Sequence, residues 1–442
     1  AYDIMPSLVG SEMCIRDRPY GLNLISDREQ VQVLAEVGVI LLLFTIGLEF
    51  SLAQLKSTKS LFLIAGPAQV FGVLLLIMLG GMGFGLSVKS AIFWGMLLSL
   101  SSTAIVLKAL AERRENETLH GRSTIGILIF QDLAVVPMML MTPFLSEEGA
   151  EGMNQILLAL VQSLALVITV VIAARYFVPK LLAHIVRTRS RELFLLTVVV
   201  LGLGTAWLTS LAGLSLALGA FIAGLLISES EYSHQALAEV LPFRDSFNSL
   251  FFVSIGMLMD PRVLLDHPVL ILAMVATVFI GKFLAGAGAV LTAGVPLRSS
   301  VLAGVALAQV GEFSFILAQE GLKEGILYRD TYNVFLAVSV ITMIITPFVI
   351  QWAPRIARRV EAIQRLHHWF PGRITYRSET PQLKLKDHVI IVGYGLNGRN
   401  LSKVLGEFEI PYVVLEIRGA VVQMELGTGI PIQYGDATNR VV

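Results

Sequence analysis

Apolar residues dominate this chain in long blocks separated by short polar stretches. A helix that crosses the hydrocarbon core of a bilayer needs about 20 consecutive apolar residues. Eleven segments meet or approach that length: 31–50, 58–79, 89–110, 122–145, 154–177, 192–211, 213–228, 244–259, 268–293, 299–319 and 330–352. Several are interrupted by Gly or Pro, and 213–228 and 244–259 are short. Interruptions are tolerated in a membrane only where neighbouring protein or water satisfies the freed backbone groups. The pattern predicts an all-α polytopic membrane bundle over residues 19–353.

Both ends depart from this pattern. Residues 1–18 include the run SLVGSEMCIRDR (Ser7 to Arg18), which has no apolar period. It resembles translated sequencing-adapter read-through and reads as a foreign leader, since a secretory signal needs an apolar stretch of about 7–15 residues. Residues 354–386 are polar and basic (Arg355, Arg358, Arg359, Arg365, Arg373, Arg377) and read as a cytosolic linker lying near anionic headgroups.

Composition agrees with the bilayer reading. The chain is 55% hydrophobic and 15% charged, against roughly 45–50% and 25% in soluble domains. Its formal net charge is zero and it carries no basic face with interleaved aromatics, so no nucleic-acid partner is expected. The single cysteine, Cys14, excludes an internal disulfide framework and a cysteine metal cage. With the C-terminus cytoplasmic, the inside loops hold eleven basic residues (Lys56, Lys59, Arg113, Arg114, Arg122, Lys180, Arg187, Arg189, Arg191, Arg244, Arg298) and the outside loops two, Arg262 and Lys323. That bias marks cytoplasmic loops, and a bacterial inner membrane suits it.

Ionisable residues at membrane depth mark candidate functional sites. Asp132 lies about 15 Å into span 122–145 at 1.5 Å per residue, among Ile129-Phe130-Gln131 and Leu133-Ala134-Val135. Lys282 is similarly central in 268–293, and Glu312 lies in the stretch Gln309-Val310-Gly311-Glu312 of 299–319. Lys282 fits two arrangements: a pair with Asp132, or bonds to carbonyls of a broken helix. For Glu312, packing or gating and direct ion contact are equally open. A second signal is the hydroxyl run at Ser99, Ser101, Ser102 and Thr103, which interrupts 89–110. Such residues loosen a helix by bonding its carbonyls.

The triplets 58–79, 89–110, 122–145 and 268–293, 299–319, 330–352 each have a broken middle member. Their offset places them in opposite orientations, the inverted-repeat plan in which broken helices meet at a midplane site and present carbonyls and helix termini to an ion.

Residues 387–442 change character. The apolar run Val389–Val392 leads into Gly393-Tyr394-Gly395-Leu396-Asn397-Gly398, a helix-like stretch to Phe408, a second strand at Pro411–Leu415 and then Glu416. A glycine pattern preceded by a strand and followed by an acid about 20 residues on is a dinucleotide fingerprint. Gly393, Gly395 and Gly398 would admit phosphate to backbone N–H groups, and Glu416 would bond a ribose hydroxyl. Gly435-Asp436-Ala437-Thr438 follows a third strand, and Asp436 joins the candidate nucleotide residues. The chain stops after about three strands, which predicts a partial α/β Rossmann domain over 387–442.

The stretches GVILLLFTIGLEF (38–50), LSSTAIVLKAL (100–110), GRSTIGILIFQDLAVVP (121–137), LALGAFIAGLLISESEYSH (216–234), FFVSIGM (251–257) and AQVGEFSFIL (308–317) are collinear with the Kef-type monovalent cation/proton antiporters, and the chain resembles that family from residue 19 to its end. The resemblance implies a sodium/proton-antiporter-like fold of thirteen helices, a core and a dimerisation domain, a homodimer and elevator-like alternating access. Two N-terminal helices would then be missing. It places the ion-binding acid at Asp132, the unwound-helix residues at Ser101, Ser102 and Thr103, and the core lysine at Lys282. The terminal domain resembles the RCK-type domain that regulates potassium channels and transporters, implying a regulatory nucleotide of the NAD(H) or AMP type and no cofactor for transport.

One carboxylate can hold a proton or a monovalent cation, K⁺ or Na⁺, but not both. Each loaded state of Asp132 is neutral and can cross, whereas the bare carboxylate is held back by its charge. Gln131 can offer a carbonyl ligand without a second titrating proton, so electroneutral one-for-one exchange is expected. A ligand-gated potassium channel is the alternative, but a channel needs a carbonyl-rich filter such as TVGYG, and the membrane part has none. A membrane dehydrogenase would need a whole dinucleotide domain and a catalytic acid/base set, so no enzyme is expected.

Overall fold

The computed structural model describes residues 28–49, 61–116, 118–146, 176–211, 216–228, 230–258, 262–362, 387–416, 419–425, 428–435 and 437. Helix α1 spans Arg28–Glu49, α2 Gly66–Gly83 after a wide turn at Leu61–Ala65, α3 Val88–Ser99, α4 Thr103–Glu112 and α5 Leu119–Met141. Then follow α6 (Tyr176–Val186), α7 (Arg191–Leu211), α8 (Leu216–Ser228), α9 (Ser233–Leu258) and the short α10 (Arg262–Asp266). The membrane part ends with α11 (Pro268–Thr292), α12 (Leu297–Ala306), α13 (Glu312–Lys323) and α14 (Arg329–Glu361). Among the described residues, six stretches are long and apolar enough to cross a membrane: Leu61–Gly83, Val88–Glu112, Leu119–Leu145, Arg191–Ser210, Pro268–Thr292 and Arg329–Glu361. The predicted span 154–177 and the leader 1–18 lie almost wholly or wholly outside the described residues.

Local chemistry sets the helix starts. Ser87, Ser102 and Thr118 have extended backbones, and their hydroxyls accept the N–H of Ser90, Ile105 and Gly121, capping α3, α4 and α5. Such caps satisfy N–H groups that have no partner inside a helix. Pro268 opens α11, where a missing N–H costs nothing.

Two boundaries differ from expectation. Helix α9 begins at Ser233 and continues through Pro242, so Arg244, expected in a loop, lies within a helix. Helix α14 passes through Pro347 and Pro354 and ends at Glu361, so residues 354–361 of the expected linker are helical. Packing overrides the prolines there: Ala357 is buried with Leu297 and Val301 of α12, and Arg298 pairs with Glu361 at 3.4 Å. Arg358 and Arg359 in the last turn favour the negative end of the helix dipole.

The helices form two packed groups. One core joins α1 and α6–α9 through Phe44, Leu48, Leu182, Phe194, Ala220 and Ile227. Here Gly47 and Gly224 let α1 and α8 approach backbone to backbone: a Cβ on Gly224 would lie 2.2 Å from the Phe44 carbonyl oxygen. Small residues serve this purpose in membrane helices, where dispersion contact replaces the hydrophobic drive. The other core joins α2, α3, α5, α11, α13 and α14 through residues such as Val70, Met96, Val135, Val278, Phe315 and Phe335, and it reaches the first group at Leu42, Leu43 and Phe221.

Residues 389–434 form a separate small α/β unit. Strands β1 (Val389–Val392), β2 (Tyr412–Glu416) and β3 (Ile432–Tyr434) are parallel in the order β1-β2-β3. Helices α15 (Leu396–Glu407) and α16 (Gly419–Glu425) make the crossovers, which parallel strands require. Ile391, Leu405, Val414, Val422 and Ile432 fill its core.

Candidate functional site

Both predicted interruptions are present. The first leaves residues 100–102 outside helices α3 and α4, and the second leaves 307–311 outside α12 and α13. The two stretches meet. Gly311 N–H donates to the Leu100 carbonyl at 3.1 Å, Ser314 Oγ to the Leu97 carbonyl at 2.6 Å, and Gln309 Nε2 to the Ser102 carbonyl at 3.4 Å. Partners descend on one stretch as they ascend on the other, so the breaks cross antiparallel, as inverted repeats require. Gly311 makes this approach possible, because a Cβ there would lie 2.4 Å from the Ser101 carbonyl carbon.

A helix ending inside a membrane leaves its last carbonyls without partners. Here each finds a donor. Besides Leu97 and Leu100, the Leu98 carbonyl accepts Lys282 Nζ at 2.6 Å, and Leu100 accepts the same ammonium at 2.8 Å. The Ser99 carbonyl accepts Gln69 Nε2 at 3.0 Å and Gln131 Nε2 at 3.2 Å. Of the two arrangements open to Lys282, the carbonyl one is found. Lys282 is buried, and its Nζ caps two carbonyls at the C-terminal end of α3.

Glu312 lies against the start of α4. Its carboxyl Oε1 accepts the Ala104 N–H at 3.4 Å. Among the described residues, Glu312 Oε2 and Gln309 Oε1 are buried acceptors with no hydrogen-bond partner.

Asp132 lies beside this crossing. The Thr103 hydroxyl donates to Asp132 Oδ1 at 3.0 Å and Oδ2 at 3.2 Å. Asp132 is 7% exposed, while its neighbour Gln131 is 1% exposed. Within the hydroxyl run, Ser99 Oγ donates to the Met96 carbonyl of its own helix at 2.8 Å, as expected, whereas the other three hydroxyls act elsewhere. Ser101 Oγ donates to the Leu307 carbonyl across the crossing at 2.9 Å, Ser102 caps α4, and Thr103 serves Asp132. The Gln131 carbonyl, expected as an ion ligand, accepts the Ser101 N–H at 2.8 Å.

The structure thus brings together Asp132, Gln131, Ser101, Ser102, Thr103, Lys282 and Glu312 around one crossing. It adds two residues not singled out from sequence. Gln69 of α2 donates to Ser99, and the Thr342 hydroxyl of α14 accepts the Val310 N–H at 3.2 Å. The signal for Gln69 was available: it is the single non-apolar side chain in Leu61–Gly83.

At the end of α4 furthest from the crossing, Arg113, Glu115 and His120 tie α4 to α5. Glu115 Oε2 meets Arg113 Nε at 2.9 Å and His120 Nε2 at 3.3 Å. Burial alone would raise the Glu115 carboxyl, but His120 and Arg113 outweigh it and hold the group at about 2.

In the α/β unit, Gly393 has φ +90°, and Gly398 packs where a Cβ would lie 2.1 Å from the Gly393 carbonyl oxygen. Gly395 caps α15. Glu416 is buried at the end of β2, and its Oε2 accepts the Tyr394 N–H at 2.6 Å. The acid expected to meet a ribose therefore also holds the glycine-rich turn. Asp436 lies outside the described residues.

The sequence profile of the sodium/hydrogen exchanger transmembrane domain matches residues 18–354. "K(+) efflux antiporter 2, chloroplastic" of Arabidopsis thaliana is 34% identical over 432 residues, 96% of this chain and 36% of that protein. The chain thus spans about a third of that relative's length. "Putative cation/proton antiporter YbaL" of Escherichia coli (strain K12) is 33% identical over 96% of this chain and 77% of its own length. Among solved structures, the sodium proton antiporter MjNhaP1 from Methanocaldococcus jannaschii superposes with a TM-score of 0.62 at 15% identity, over 80% of this chain and 94% of that one. That likeness establishes the sodium/proton-antiporter fold. By its membrane domain and by its similarity to YbaL over most of that protein, the chain belongs to the sodium/hydrogen exchanger family, on its Kef-type side.

Proposed function

We propose that this protein exchanges a monovalent cation for H⁺ by alternating access, using Asp132 as the single carrier carboxylate. The observation that carries the reading is the position of Asp132: buried, beside the crossing of two broken helices, with the Thr103 hydroxyl donating to it. Lys282 and Glu312 are engaged at the two half-helix ends, and we assign the titrating, ion-carrying role to Asp132. Proton and cation compete for it, and exchange is one-for-one and electroneutral. K⁺ is favoured over Na⁺, which accords with the K(+) efflux antiporter names of the relatives. Elevator-like motion of one helix group against the other, a homodimer, and a bacterial inner-membrane location with a cytoplasmic C-terminus belong to the same reading. The α/β unit acts as a regulatory nucleotide sensor of the NAD(H) or AMP type, through Gly393, Gly395, Gly398, Glu416 and Asp436.

The test is proton movement in liposomes reconstituted with the protein. Addition of K⁺ or Na⁺ should move protons with the membrane potential clamped at zero. Flux appearing as current, without proton coupling, would replace exchange by conduction.

A further inference from the structure

We infer that Gln69 is a positioning residue for the cation site, acting through Gln131; this deepens the exchange reading above and rests on it. The two buried amides form a chain whose polarity the backbone dictates. Ser101 N–H can only donate, so the Gln131 atom facing it at 2.8 Å is Oε1. Gln131 Nε2 then faces the Ser99 carbonyl at 3.2 Å and Gln69 Oε1 at 2.6 Å. From the other end, Gln69 faces that same carbonyl at 3.0 Å, and a carbonyl can only accept, so this atom is Nε2. Its Oε1 is left for Gln131. Orientations of amide groups are otherwise assigned from networks; here two independent backbone groups fix the same one.

The consequence reaches the carrier carboxylate. Gln131 precedes Asp132 on α5, and its amide ties α5 to the first break at Ser101, two residues before the Thr103 that donates to Asp132. Gln69 holds that amide from a third helix. It touches neither Asp132 nor Thr103 in any described hydrogen bond, so its loss would displace the ligands and leave them all present. A flipped Gln131 would set its NH₂ against the Ser101 N–H, donor against donor. Without Gln69, the amide keeps the Ser99 carbonyl and a long 3.4 Å contact to Ser101 Oγ as partners for its NH₂.

The experiment measures the apparent KM for K⁺ and the maximal exchange rate in proteoliposomes for wild type, Gln69→Leu, Gln131→Leu and the double variant. Gln69→Leu should raise KM roughly 5- to 10-fold, the scale of one net hydrogen bond, and change the maximal rate less. The double variant should be no worse than Gln131→Leu, because residues acting in one network do not add. Gln69→Glu supplies a second readout. Protonated, it donates to Ser99 and accepts from Gln131 as the amide does, so its KM relative to wild type should return toward one at acid pH and rise at alkaline pH. A Gln69→Leu KM equal to wild type, fully additive effects, or a Gln69→Glu ratio that does not change with pH would each reduce Gln69 to a packing residue. If Gln69→Leu fails to fold, the Gln69→Glu ratio decides alone. An inactive wild type overturns the exchange reading and this inference with it; an active wild type with unmoved variant ratios overturns this inference alone.

Discussion

The Leu100 carbonyl accepts the Gly311 N–H at 3.1 Å, so the two interrupted helices are joined backbone to backbone at their buried crossing. The contact leaves no room for a side chain at 311. Gly311→Ala should lower stability by about 1–3 kcal/mol, as overpacking does in a dense interior. The thermal unfolding midpoint in detergent checks this. A midpoint equal to wild type would mean that the crossing is looser than described.

Lys282 separates two accounts of the buried charges. An ammonium paired to Asp132 would be left alone by Asp132→Asn, which costs about 3–5 kcal/mol for a broken buried pair. With Lys282 on the Leu98 and Leu100 carbonyls, Asp132→Asn should leave the unfolding midpoint close to wild type. Lys282→Met should lower it, because Leu98 loses the donor seen here, at about 1–3 kcal/mol for an orphaned buried acceptor. A fall for Asp132→Asn as large as that for Lys282→Met would restore the Asp–Lys pair.

Most of this site was legible in the sequence, for reasons that differ by residue. Asp132, Lys282 and Glu312 stand out because charge is costly at membrane depth, and the break at 100–102 because three hydroxyl residues follow one another. What each group touches was not legible. Span position places Lys282 level with Asp132, but the choice between a carboxylate and a carbonyl depends on helix rotation, which hydropathy does not encode. Gln131 reads as an ion ligand because the Ser101 N–H that occupies its carbonyl comes from the first break, 30 residues away. The end of α14 was not legible because Pro354 weakens a helix locally, while Ala357 packing on α12 and the Arg298–Glu361 pair join residues far apart in sequence.

The Glu115 cluster gives a pH prediction. Its folded value of about 2 lies below the ordinary 4.5, so the ionised group favours the folded state. That contribution is complete above about pH 4.5 and is lost as pH falls toward 2. Between pH 5 and 3 the unfolding midpoint of wild type should therefore fall more steeply than that of Glu115→Gln. Parallel curves would show that His120 and Arg113 do not stabilise the carboxylate.

The claim at the centre is that Asp132 carries both proton and cation. Proton movement in liposomes should be recorded for wild type and Asp132→Asn, with K⁺ or Na⁺ added and no membrane potential. The account predicts cation-driven proton movement in the wild type and none in the variant, although the variant is folded. Continued coupled transport by Asp132→Asn would contradict it, and the carrier group would have to be sought elsewhere in the crossing.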